Sequence, residues 1–186
     1  MAATNRRDFL RHAGLGLYSF SIAGVTAWLT PRDARARGAE LGVLDASEAH
    51  LLEAIGEAFA PGAAEAGIAW FVDSQLAVPA NDSLLMARYF NVAPPYAPFY
   101  RASLVSIDEL ARQRRARNFA ALEAGAATEL LRELLAGQPD GWAGPPALLV
   151  YLVLRNDAVD VVYGTTDGFQ RLGIPYMPHI LPPTPW

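Results

Sequence analysis

Three histidines, His12, His50 and His179, are the only imidazoles in the chain, and no cysteine accompanies them. The missing cysteine excludes disulfides, thiolate metal sites, iron–sulfur ligation and c-type haem attachment within this polypeptide. Dedicated zinc sites draw their ligands from clusters, and His50 and His179 lie far apart. His50 reads as a surface position on a helix. Asp167, Tyr176 and His179 form the closest acid–base grouping, but the proline before His179 and the lack of a neighbouring nucleophile make it a hydrogen-bonding interface residue instead. No glycine fingerprint for a dinucleotide follows a strand, because Gly14-Leu15-Gly16 sits in an apolar N-terminal run and Gly164 to Gly168 follows a helical pattern. The chain is therefore expected to bind no cofactor or metal itself and to contribute no catalytic residue.

The motif with the clearest meaning is the opening stretch Asn5-Arg6-Arg7-Asp8-Phe9-Leu10-Arg11. Arg6, Arg7, Phe9 and Leu10 resemble a twin-arginine export signal, an address read by the twin-arginine translocase, which carries proteins already folded. Residues 13 to 29 are apolar but interrupted by Gly14, Gly16, Ser19, Ser21, Gly24 and Thr26. A membrane span needs about 20 mostly apolar residues, so the run reads as the apolar region of a signal peptide. Pro31 breaks it, and Ala34-Arg35-Ala36 supplies a small-x-small cleavage site. Residues 1–36 are expected to be the signal and 37–186 a single domain. Retention of the leader as a surface anchor through Leu15, Leu17, Phe20, Ile22, Val25, Trp28 and Leu29 is the alternative.

Composition narrows the partners. All 15 basic residues are arginine, and beyond residue 36 ten arginines face seventeen acids. That negative balance argues against a nucleic-acid partner, which requires a basic face. About 150 residues suffice for one domain with a core.

Periodicity predicts a small, irregular, all-α domain of about five helices. Asp45 and Glu48 have capping-box spacing before Leu51, Leu52, Ile55, Ala58 and Phe59. A second helix is expected over 64–76, a short turn of helix through Tyr89, then helices over 99–117, 126–136 and 148–162. The run between the third and fourth of these, with Tyr89, Phe90, Tyr96, Phe99 and Tyr100, is either pinned to its own core or a strip for a partner. Arg112, Arg114, Arg115 and Arg117 crowd one helix end, where they complement the macrodipole or meet an acidic partner. The last helix is apolar nearly all round and should be central; Arg155 within it pairs with Asp157 or Asp160, or with a partner.

From Tyr163 onward glycine and proline recur too often for a helix or a central strand, yet the tail is too aromatic to remain solvated. Tyr163, Gly164, Gly168, Phe169, Leu172, Gly173, Pro175, Tyr176, Met177, His179 and Trp186 mark an extended arm that covers its own core or a second protein. Together with the leader, the runs Tyr163-Gly164-Thr165, Gly168-Phe169, Leu172-Gly173-Ile174-Pro175-Tyr176 and Pro182-Pro183 resemble the gluconate 2-dehydrogenase subunit 3 family. That resemblance implies an accessory subunit of a periplasmic complex. Its partner would be a GMC-type catalytic subunit that holds FAD and oxidises an alcohol, with a cytochrome c subunit accepting electrons in some complexes. The small subunit would supply the export signal and stabilise the flavoprotein. A free-standing periplasmic or membrane-surface helical binding protein is the competing expectation.

Overall fold

The computed structural model describes residues 16–174. It opens on an antiparallel hairpin of β1 (Tyr18–Ile22) and β2 (Val25–Leu29), in register from Tyr18 opposite Leu29 to Ile22 opposite Val25. Both residues of the two-residue loop have positive φ, Ala23 at 49° and Gly24 at 77°, as a type I′ turn requires. The apolar run that the composition assigns to a signal peptide thus folds here as strands. Tyr18, Phe20 and Ile22 alternate with Ser19 and Ser21, and Phe20 is buried while Ser19 is exposed.

Nine α-helices follow among the described residues, of which five have nine residues or more. These are α2 (Ala46–Phe59), α4 (Ile68–Leu76), α6 (Ala97–Arg115), α7 (Ala124–Ala136) and α8 (Ala147–Tyr163). The short ones are α1 (Pro31–Ala36), α3 (Ala63–Ala66), α5 (Met86–Tyr89) and α9 (Thr166–Arg171). The all-α expectation holds for the body, and the hairpin is the addition to it.

Local chemistry explains the ends. At α2 the Asp45 carboxylate accepts from the Ser47 and Glu48 amides at 2.8 Å, and Glu48 accepts from the Asp45 amide at 2.9 Å, which completes the capping box. The helix expected over 64–76 is two helices. Gly67 separates them at φ 85°, and a Cβ there would lie 2.3 Å from the Pro31 carbonyl oxygen. Only glycine permits that left-handed turn together with so close an approach by α1.

The core is built around α8, which buries Ala147, Val150, Val153, Leu154, Ala158, Val161 and Val162. It packs against α2, α3, α4, α5, α7 and α9. Full burial of each valine or leucine contributes about 1.5–3 kcal/mol, so this helix supplies much of the hydrophobic stabilisation. The proline-rich aromatic stretch is pinned to this core: Tyr96 and Tyr100 are buried, Phe90 and Phe99 pack against it, and Tyr89 alone of the five is largely exposed. The arginine cluster also turns inward upon the domain. Arg112 pairs with Asp108 one turn back, while Arg114 and Arg115 reach Glu133 and Glu129 of α7, each at 3.2 Å. Each such surface pair contributes about 0–1 kcal/mol.

A smaller cluster of Phe20, Leu29, Ala34 and Ala39 joins the hairpin and α1 to the body, with Trp70 packed against it. No helix among the described residues is long and apolar enough to cross a membrane.

Candidate functional site

The sequence places the candidate interface at the end of α8 and beyond. There the chain makes two tight turns, and the glycines of the motif are what permit them. A Cβ on Gly164 would lie 2.6 Å from the Asp160 carbonyl oxygen, and one on Gly168 would lie 2.5 Å from both the Tyr163 Cα and the Val162 carbonyl oxygen. Gly168 therefore lets α9 cross the end of α8 at backbone contact. Thr165 caps α9 by accepting from the Gly168 amide at 3.0 Å.

At the far end of α9, Gly173 adopts φ 66°, its amide donates to the Gln170 carbonyl, and the Ile174 amide donates to the Phe169 carbonyl, each at 3.0 Å. This is a Schellman motif, which ends the helix by satisfying its last carbonyls. The arm expected to be extended from Tyr163 is thus helical over Thr166–Arg171, because a threonine cap and two well-placed glycines outweigh the average composition of the tail.

Tyr163 packs half-buried against the core, and Phe169 is half-buried. Leu172 and Ile174, by contrast, remain 52% and 48% exposed, side by side at the point where the chain leaves α9. The motif residues accordingly divide into Gly164, Gly168 and Gly173, which shape the turn, and Leu172, which presents an apolar surface. Pro175, Tyr176, Met177, His179 and Trp186 lie outside the described residues, as do Arg6, Arg7, Phe9 and Leu10 of the export motif.

Within the core lies a buried polar network that the sequence did not reveal. Asp157 of α8, 1% exposed, accepts from the Met86 amide of α5 at 2.9 Å and from the Tyr100 hydroxyl of α6 at 2.5 Å. Burial pushes its carboxyl up to about 7, against the lowering effect of those two hydrogen bonds. Burial, and then the Asp157 charge, push the Tyr100 phenol well above its usual range. Arg155, expected to pair with Asp157, with Asp160 or with a partner, takes no part in this network. It lines a shallow groove with Phe59, Thr128, Arg132 and Tyr151, in which the Phe59 and Tyr151 rings meet edge to face at 5.1 Å.

A second buried carboxylate, Asp73 of α4, accepts from three successive amides, Gly42 at 2.9 Å, Val43 at 2.8 Å and Leu44 at 2.8 Å. Its lone pairs are spent on the loop before α2. Both buried aspartates hold helices and loops together. His50 lies exposed on α2. Among the described residues no three His, Asp or Glu side chains gather as metal ligands would.

A family model described as gluconate 2-dehydrogenase subunit 3 matches residues 46–179, from the first residue of α2 into the tail. No curated protein and no solved structure matches the chain. The chain belongs to the gluconate 2-dehydrogenase subunit 3 family, whose members are accessory subunits of a larger dehydrogenase complex.

Proposed function

We propose that this member of the subunit 3 family is the non-catalytic small subunit of a periplasmic, FAD-dependent alcohol or sugar dehydrogenase. It brings the twin-arginine signal to a GMC-type catalytic subunit and stabilises that flavoprotein in the complex. The observation that carries this reading is the family match over residues 46–179, which covers every described helix after α1 and most of the tail. Two features support it. Leu172 and Ile174 form an exposed apolar step leading into the aromatic tail, a surface suited to a larger protein. The ionisable groups buried in the core are committed to hydrogen bonds within the fold.

In this reading FAD and the chemistry of alcohol oxidation reside in the partner, and a cytochrome c subunit takes the electrons where one is present. Export of folded proteins is what allows one signal to serve two chains. The test is a native pull-down of the tagged chain from a periplasmic extract, with absorbance and mass analysis of the eluate. A yellow eluate containing a larger GMC-type polypeptide is expected. A colourless, monomeric chain under gentle conditions would overturn the proposal in favour of a free-standing binding protein.

A further inference from the structure

The expected cleavage site falls inside folded structure. Ala34, which would be the third residue before the cut, is 0% exposed in the middle of α1, and Ala36 is that helix's last residue. A peptidase binds its substrate extended, so α1 would have to unwind and leave the body before the bond could be cut.

The contacts that hold this segment are extensive. Phe20 and Leu29 of the hairpin share a buried cluster with Ala34 and Ala39, on which Trp70 of α4 packs. The Trp70 indole donates to the Ala39 carbonyl at 2.9 Å, and the Glu40 amide donates to the Ser21 carbonyl at 2.8 Å. Tyr18 meets Phe71 edge to face at 5.6 Å. Its phenol is pushed up to about 12 by burial and by the Asp160 charge. Arg35 reaches Glu53 at 2.5 Å, and Arg32 pairs with Glu65. The first turn of α1 lies so close to Gly67 that no side chain fits between them. A signal peptide that is discarded has no need of such a complementary seat, and its removal would uncover Trp70 and Phe71.

We infer that residues 18–39 are a permanent part of the working subunit: the leader's apolar run docks as a clasp on α4, and the Ala36–Arg37 bond survives export. The inference concerns a segment that lies before the family match, which begins at Ala46. It rests on the export reading for its location and on the packing for its structure, and the two can fail separately.

The experiment measures the intact mass of the exported wild-type chain and of two full-length variants. Phe20→Asp places a charge in the buried cluster, and Val25→Asp changes a hairpin position that is 68% exposed. Wild type and Val25→Asp are expected to keep residues 18–39, whereas Phe20→Asp yields a product beginning at Arg37. Wild-type protein beginning at Arg37 would overturn the inference, and an uncut Phe20→Asp variant would overturn docking as its cause. Hydrogen exchange on the purified full-length chain reads the docking wherever the protein resides. Amides of 18–29 are expected to exchange at least about 100-fold slower than free peptide, and unprotected exchange would overturn the clasp. A chain found only in the cytoplasm would instead refute the export reading.

Discussion

The Tyr100 hydroxyl donates to the Asp157 carboxylate across 2.5 Å, with both side chains buried and 57 positions apart in the sequence. The same carboxylate accepts from the Met86 amide, so one side chain joins α5, α6 and α8. Tyr100→Phe removes a donor and leaves Asp157 Oδ2 unsatisfied in a dry site. The expected loss is about 1–3 kcal/mol of stability, measured by urea unfolding, with the helical circular dichroism of the folded state retained.

The raised carboxyl of Asp157 sets a direction for the pH dependence. The unfolded group titrates near 3.8 and the folded one near 7, so between those values the folded protein keeps a proton that the unfolded chain has released. Stability therefore falls as pH rises through that window and levels off above it. Asp160, also raised by burial, acts in the same direction. Calorimetry at pH 5 and pH 8 is expected to give the higher Tm at pH 5. Asp157→Asn should flatten the difference, and an unchanged slope would reject the assignment.

Asp73 makes three charge-assisted hydrogen bonds to the loop that precedes α2. Asp73→Ala strands those amides, of which the one at Leu44 is buried. A loss of roughly 3–5 kcal/mol is expected, with faster amide exchange at 42–44 as the local signature. Normal protection there would show that another group takes the carboxylate's place.

Arg6 and Arg7 are predicted to be read together by the translocase. Replacing both with lysine keeps the charge but removes the planar guanidinium pair. Fractionation should then find both this chain and its partner in the cytoplasm. Normal export of both would remove the basis for assigning a twin-arginine route.

Leu172 and Ile174 supply the exposed apolar step at the end of α9. The double change Leu172→Asp and Ile174→Asp is expected to leave Tm within a few degrees, since both side chains are about half in solvent. Recovery of the flavoprotein in the pull-down should fall at least about tenfold, the equivalent of about 1.4 kcal/mol. Full recovery would move the interface elsewhere.

Features that depend on neighbours in sequence were legible before the fold was known. Asp45 with Glu48 marked the start of α2, and the nearly all-round apolar character of 148–162 marked α8 as central. Features that depend on distant partners were not. The need for glycine at position 67 comes from Pro31, and the role of Asp157 comes from Met86 and Tyr100. The hairpin fell between these cases. Its alternation from Tyr18 to Ile22 and its Ala23-Gly24 turn were present in the sequence, but the apolar run after two arginines suggested a signal peptide first. In the tail, Gly164, Gly168 and Gly173 turn the backbone at the two ends of α9, a task that the sequence pattern did not show.

The helix on which the core is assembled is synthesised after the helices that pack on it, α9 excepted. While α8 is still within the ribosome, α2, α4 and α7 have emerged without the surface they pack on, and the Met86 amide and Tyr100 hydroxyl have no Asp157 to bind. Cooperative closure must wait for α8, and until then the nascent protein displays Leu52, Ile55, Leu130 and Leu134 to whatever chaperone meets it first.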